Sequence, residues 1–243
     1  MIHFTISARG KPGDVPIRHF LTKGFPSIPV VQIDSVFGFV ERSTLYGGRI
    51  FEAPELTARD VEGLYELGIG LRIPLTNHIA QPEEYESNLS FLQKYHRPRN
   101  AVIVTNDSLA RWIRRDFPDY RIEASVIKNV KTHARIAAAL NLYDTVVLPM
   151  ELNQDEEFLA QAENKDRITL FANAGCALTC PSRICYLSIS QFNKNLDGEL
   201  RCSQDHKQRD IRGMIDFDLD RLQELGFSRF KMLRARPGGF TGY

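Results

Sequence analysis

The chain has 243 residues, of which 43% are hydrophobic and 25% are charged, and its formal net charge is +1. This composition is typical of a globular protein and excludes a disordered or fibrous one. The near-neutral charge argues against a protein that is basic overall, although it leaves room for a local basic site. No run of about 18 apolar residues is present and the first residues lack a signal-peptide pattern, so we expect a cytoplasmic protein that does not span a membrane.

Short apolar, β-branched runs alternate with helical patterns along the whole chain. The predicted strands lie at 4–7, 30–37, 71–76, 101–105, 121–126, 145–149, 167–172 and 229–234. The predicted helices lie at 15–23, 83–95, 108–116, 131–140, 154–162 and 217–225, and a further helix opens within 54–60. Thr57 and Asp60 resemble a capping pair for that further helix, and Asn153 is the expected cap of the helix at 154–162.

Eight strands separated by helices predict a (β/α)8 TIM-like barrel, an α/β fold in which helical crossovers join parallel strands. We expect a single domain over 1–243, with a cysteine-containing insertion at about 174–215 that follows the seventh strand. An open, doubly wound sheet is the alternative architecture.

All the cysteines of the chain lie in this insertion, and they are Cys176, Cys180, Cys185 and Cys202. In a reducing compartment such a group favours metal binding over disulfides. Four thiolates can hold a [4Fe-4S] cluster or a tetrahedral zinc ion. Zinc sites favour cysteines two residues apart, whereas wider gaps suit the spread corners of a cluster. We therefore expect a [4Fe-4S] cluster, with zinc or purely structural cysteines as the alternatives.

Polar residues follow several predicted strands, at the end of a barrel where active sites lie. Glu151 follows an apolar run that would raise the pKa of its carboxyl group, which suits proton transfer. His78 is the histidine found at such a strand end, and it is the second candidate for moving protons. The alternatives are a helix-capping carboxylate for Glu151 and an exposed loop histidine for His78.

The remaining strand-end residues are candidates for binding a substrate. Arginines after the eighth strand lie where barrels often bind anions, and another arginine follows two glycines whose backbone can approach a ligand closely. Surface arginines without a ligand are the alternative. The candidate substrate-binding residues are Arg49, Asn77, Ser125, Asn129, Asn173, Arg234 and Arg236.

Several stretches, taken in order, resemble the U32 family, once named collagenase-like peptidases. The matching stretches are Val36-Phe37-Gly38 with Gly47-Gly48-Arg49, Glu123-Ala124-Ser125 with Asn129, Val147 to Leu152, Asn173-Ala174-Gly175-Cys176 with Cys180-Pro181, and Phe230 to Arg234. The resemblance implies a TIM-like barrel and a cluster that the four cysteines hold.

The resemblance also implies oxygen-independent hydroxylation, because family members act on ubiquinone precursors, on transfer RNA and on ribosomal RNA. We therefore predict an iron–sulfur enzyme that hydroxylates a small anionic or aromatic molecule or a nucleobase of RNA. A partner protein of the same family is a further expectation. The alternatives are a non-catalytic metal-binding or electron-transfer protein, and a peptidase.

Overall fold

The structure is a computed structural model that describes residues 1–195, 199–204 and 214–234. Eight strands pair in sequence order and close into a barrel, and every neighbouring pair is parallel. The strands are β1 (His3–Ser7), β2 (Ile33–Phe37), β3 (Gly70–Leu75), β4 (Ala101–Val104), β5 (Arg121–Ala124), β6 (Thr145–Val147), β7 (Ile168–Phe171) and β8 (Arg229–Met232). The (β/α)8 prediction is confirmed, and the open sheet is wrong because β1 pairs with β8.

Helices cross over between the strands. The α-helices are α1 (Ile17–Gly24), α2 (Ala58–Glu66), α3 (Pro82–Ser87), α4 (Leu89–Tyr95), α5 (Asp107–Asp116), α6 (His133–Leu140), α7 (Glu156–Gln161), α8 (Cys185–Asn193) and α9 (Leu219–Glu224). Short 3-10 turns occur at Val30–Gln32, Val126–Lys128, Met150–Gln154, Lys165–Arg167 and Cys176–Leu178. In the part of the chain that the structure describes, no helix has the length and apolar character needed to cross a membrane.

Two helix starts show how local chemistry sets the element bounds. At α2 the Thr57 hydroxyl accepts from the Asp60 amide at 3.2 Å, while the Asp60 carboxylate accepts from the Thr57 amide at 2.9 Å, which confirms the predicted capping pair. The predicted cap Asn153 is wrong. Asn153 lies inside a 3-10 turn and donates to the Phe171 carbonyl, and Asp155 caps α7 instead.

The barrel interior contains a buried layer of charged and hydroxyl side chains. The Arg72 guanidinium donates to Glu123 at 2.5 Å, to Asp34 at 3.0 Å and to Ser35 at 2.9 Å. Lys231 approaches Glu123 on the other side, with 3.5 Å between Nζ and Oε1. Opposite charges compensate one another here, as buried charges require.

The cysteine segment, residues 173–204, lies between β7 and β8, as the sequence predicts. It therefore leaves the barrel at the carboxyl ends of the strands. The sequence did not predict α8, which places Cys185 at the first position of a helix and turns the chain back across the barrel end.

Candidate functional site

A cavity of about 120 Å³ opens at the carboxyl ends of the strands. Strand residues such as Phe37, Phe171 and Lys231 form its lower part, and Cys176 and Tyr186 of the cysteine segment form part of its wall. This is the end at which barrel enzymes place their active sites.

The charged groups around the cavity are all cations. Arg9, Arg49 and Lys231 line it, and among the described residues no aspartate or glutamate does. Arg49 is already paired, because its guanidinium binds both carboxylate oxygens of Glu55, one of them at 2.7 Å. Arg49, a predicted substrate-binding residue, thus lines the cavity while its guanidinium is paired with Glu55, and its role in binding stays a prediction.

Lys231 is the functional candidate that sequence reasoning missed. It is 6% exposed, and its Nζ lies 4.5 Å from the centre of the Phe37 ring. Burial, followed by the charge of Arg72, lowers the pKa of Lys231 to about 8, although Glu123 acts in the opposite direction. The available signal was a lysine within an apolar strand run, since such a residue must face either solvent or a polar barrel interior.

None of the four cysteines of the cysteine segment forms a disulfide bond. Burial raises the pKa of the Cys185 thiol to about 12, and the neighbouring Cys176, Cys180 and Cys202 raise it further. The four sulfurs therefore share one region, in which ionisation of one thiol is opposed by the others. A bound cationic metal centre would relieve this repulsion, so the donor set fits a thiolate-bound metal group.

The spacing of these thiols bears on which metal group they could hold. Within residues 1–195, 199–204 and 214–234, no three His, Cys, Asp or Glu side chains converge closely enough to hold a single metal ion. A cluster holds its cysteines at separate iron atoms, and this requires less convergence than a single ion does.

Arg183 ties the cysteine segment to two loops of the barrel. Its guanidinium donates to both carboxylate oxygens of Glu151, at 2.8 and 2.7 Å, and to the Asn129 side-chain carbonyl at 2.8 Å. The backbone amide of Arg183 donates to Cys180 Sγ at 3.2 Å. We call Arg183, Glu151 and Asn129 the arginine clamp. Neither Glu151 nor Asn129 lines the cavity, and both hold Arg183 in place.

The predicted rise in the pKa of Glu151 is wrong. Burial alone would raise it, but hydrogen bonds from Lys131 and Arg183 outweigh burial and hold the pKa below its ordinary value. A carboxyl group with a low pKa stays ionised near neutral pH and is a poor proton donor.

Helix α8 is anchored on the opposite side of the barrel mouth. The amide group of Asn77 donates to the carbonyls of Thr44, Tyr46 and Ser190, and the Asn193 amide donates to Tyr46 and Arg49. Asn77 is fully buried, does not line the cavity and anchors α8, and its predicted role in substrate binding stays a prediction.

His78 lies beside α8 and outside the cavity. Its Nδ1 is 3.1 Å from the Ser190 hydroxyl, and burial lowers the pKa of the imidazole. The ring lines a separate groove with Lys128 and Tyr143. That His78 moves protons stays a prediction.

The other predicted binding residues divide between the cavity and the barrel frame. Ser125 lines the cavity. Asn173 donates to the Arg234 carbonyl at 3.0 Å and accepts from the Leu233 amide at 2.8 Å, which fastens the start of the cysteine segment to the end of β8. Arg234 binds the Ala174 carbonyl and Asp216 and does not line the cavity, and its role in anion binding stays a prediction. Arg236 lies outside the described residues.

Comparisons with known proteins agree with this architecture. No protein-family model matches the sequence, and no curated protein matches it. Among solved structures, the U32 peptidase Mk0906 is similar, with a TM-score of 0.66. The alignment covers 98% of this chain and 94% of that chain, at 15% sequence identity. The chain therefore has the fold of a U32 peptidase over nearly its whole length.

Proposed function

We propose that this chain is a U32-type enzyme that carries a [4Fe-4S] cluster on Cys176, Cys180, Cys185 and Cys202. The observation that carries the proposal is the grouping of four cysteine thiols around Cys185, next to the cavity at the carboxyl ends of the strands. Cys176 belongs to both features, since it is one of the four thiols and also lines the cavity. A bound cluster would supply one-electron chemistry beside the substrate.

The proposed reaction is hydroxylation of a small anionic or aromatic molecule without molecular oxygen. Replacing a C–H bond by a C–OH group removes two electrons from the substrate. The reaction therefore needs either an oxygen-atom donor other than O2, which loses its oxygen in the same turnover, or water together with a two-electron acceptor. The residues of this chain would hold the substrate in the cavity, while the arginine clamp and the contacts of Asn77 with α8 hold the cysteine segment, whose Cys176 lines the cavity.

Anaerobic purification followed by iron, sulfide and zinc assays tests the cluster. We expect about four iron and four sulfide per chain, with the broad visible absorption of thiolate-bound iron. A colourless protein with stoichiometric zinc would overturn the proposal. If the purified protein is metal-free, reconstitution with ferrous iron and sulfide under argon must restore the colour, and a failure to do so would also overturn it.

Substitution of single residues then tests the ligand set. Cys185→Ala should lower the iron content strongly, because a cluster that loses one of its thiolates is held by only three. Ser182→Ala is the matched control, since Ser182 lies in the same loop and is exposed. Equal iron content in the two variants would remove Cys185 from the ligand set.

A peptidase is the second candidate, because the similar solved structure is described as a U32 peptidase. Incubation of the pure protein with casein and denatured collagen tests this candidate directly. Cleavage that persists in the Cys185→Ala variant would favour a peptidase over the iron–sulfur enzyme. A third possibility is a non-catalytic partner protein, which would bind iron without converting any substrate.

A further inference from the structure

Lys231 has hydrogen-bond donors that the described residues do not use. Its ammonium group carries three N–H donors. Within the described part of the chain, its one hydrogen-bond partner is Glu123, at the long distance of 3.5 Å, and the Phe37 ring covers another side. A buried cation whose donors are unfilled is costly, and an acceptor in the adjoining cavity would remove that cost.

Glu123 does not depend on Lys231 for its partners. Its carboxylate accepts from Arg72 at 2.5 Å and from the hydroxyls of Thr145 and Thr169 at 3.3 Å each. Arg72 in turn donates hydrogen bonds to Glu123, Asp34 and Ser35. Lys231 is thus the member of this network whose charge can be directed towards the cavity.

The walls above Lys231 are largely apolar and suit an aromatic ring. Phe37, Ile103, Met150, Phe171 and Leu233 all line the cavity. Its volume is about 120 Å³, and an engineered apolar cavity of roughly 150 Å³ holds one benzene molecule in another protein. The enclosed part of the cavity is therefore close in size to a single six-membered ring.

We propose that this cavity binds a single-ring aromatic carboxylate, with the carboxylate on Lys231 Nζ and the ring against the apolar wall. This inference names the substrate class of the site proposed above. It rests on that proposal for the role of the cavity in a reaction, while the binding itself rests on barrel residues alone.

The charge balance favours a monoanion over a phosphate group. Lys231 shares Glu123 with Arg72, and Arg49 is paired with Glu55, so these residues leave little positive charge for a ligand. A dianion would bring two negative charges into this largely apolar site, and each of them would need a compensating partner. A carboxylate needs one partner, which the Lys231 ammonium group can supply.

Isothermal titration calorimetry with benzoate, benzamide and phenyl phosphate tests the proposal on the full chain. The three probes share one ring and differ in charge. We expect benzoate to bind at least about tenfold more tightly than benzamide, because a charge-assisted hydrogen bond is replaced by a neutral one. Equal affinities, tighter binding of phenyl phosphate, or no binding of benzoate would each overturn the proposal.

Lys231→Met keeps the length of the side chain and removes its charge. We expect it to weaken benzoate binding at least about tenfold and to leave benzamide unaffected. Lys94→Met is the matched control, because Lys94 is an exposed lysine paired with Glu41 on the outer surface. Unchanged benzoate binding in a folded Lys231→Met variant refutes the placement of the carboxylate on Lys231. If that variant does not fold, the comparison of benzoate, benzamide and phenyl phosphate on the wild-type protein still tests the proposal.

Iron and sulfide are measured on the same samples, and titrations are compared at matched iron content. A protein without iron that still binds benzoate through Lys231 contradicts the proposed function and leaves this inference standing. A protein that holds a full cluster but does not bind benzoate supports the proposed function and overturns this inference.

Discussion

Arg183→Met would remove the guanidinium that joins the cysteine segment to the loops after β5 and β6. In the wild-type structure this group binds Glu151 through both carboxylate oxygens and also binds Asn129. The substitution keeps the apolar stem, so the loss of hydrogen bonds is separated from a loss of side-chain volume. Glu151 keeps one partner, Lys131, at 2.7 Å.

The free energy that the docked cysteine segment loses in Arg183→Met is estimated from the partial exposure of the arginine clamp. Hydrogen bonds to buried charged groups contribute about 1.5–3 kcal/mol, whereas exposed ion pairs contribute about 0–1 kcal/mol. The side chain of Arg183 is 17% exposed and that of Glu151 is 30% exposed, which places the pair between these limits. We expect the docked segment to lose about 1–2 kcal/mol, which is roughly a five- to thirtyfold change in its population relative to the undocked state.

Hydrogen–deuterium exchange of the backbone amides over 176–193 measures this population directly. Amides of the cysteine segment should exchange about five- to thirtyfold faster in Arg183→Met, while amides of the central strands keep their wild-type rates. Arg221→Met is the matched control. Like Arg183, Arg221 binds two side chains, which are Glu156 and Glu224, but it does so on the exposed face of α9.

Two results would refute this reasoning. Unchanged exchange over 176–193 would mean that the arginine clamp does not hold the segment. Equal acceleration across the whole barrel would mean that Arg183 supports global stability and has no local positioning role. Iron content in the anaerobic protein provides the second readout, and it should fall in Arg183→Met but not in Arg221→Met.

Three further predictions concern the barrel interior and the cavity. Benzoate affinity should be constant below about pH 8 and fall above it, as the Lys231 ammonium group loses its proton. Burial, the charge of Arg72 and the charge of Arg49 lower the pKa of Lys231 to about 8, although Glu123 acts in the opposite direction. Calorimetry across this pH range measures the affinity, and a flat profile contradicts the prediction. Gly47→Ala should destabilise the protein by about 1–3 kcal/mol in urea unfolding, since the added Cβ would lie 2.4 Å from the Thr76 carbonyl oxygen, whereas Gly13→Ala meets nothing within 4 Å and serves as the control. Arg72→Met should lower the free energy of unfolding by about 3–5 kcal/mol, because it removes the closest cation from the buried Glu123 carboxylate. Arg115→Met, at an exposed ion pair, is the control, and an equal loss in the two variants would contradict the prediction.

The strand pattern made the barrel predictable from the sequence. A buried parallel strand is a nearly continuous apolar run, and each of the eight runs became a strand within a few residues of its predicted bounds. The ends were less predictable, because tertiary contacts determine where pairing stops. The run at 30–37 shows this, since Val30–Gln32 forms a 3-10 turn and pairing begins only at Ile33.

The cysteine segment was located correctly but its contacts were not predictable. A polar residue after a strand can face the cavity, as Ser125 does, or clamp a neighbouring loop, as Asn77 and Asn173 do. The two outcomes depend on a segment more than a hundred residues away for Asn77, and local sequence carries no record of that contact. The direction of the pKa shift of Glu151 was predicted wrongly for the same reason, because its partner Arg183 lies on the cysteine segment.

The cysteine segment is held at opposite sides of the barrel mouth, by the arginine clamp on one side and by Asn77 and Asn193 on the other. Cys176 and Tyr186 of this segment also form part of the cavity wall. Binding at the thiols and binding in the cavity therefore act on the same piece of chain and are thermodynamically linked. If a bound metal centre changes the affinity for benzoate by some factor, benzoate changes the affinity for that centre by the same factor. Titration with benzoate and titration with the metal therefore measure the same coupling free energy.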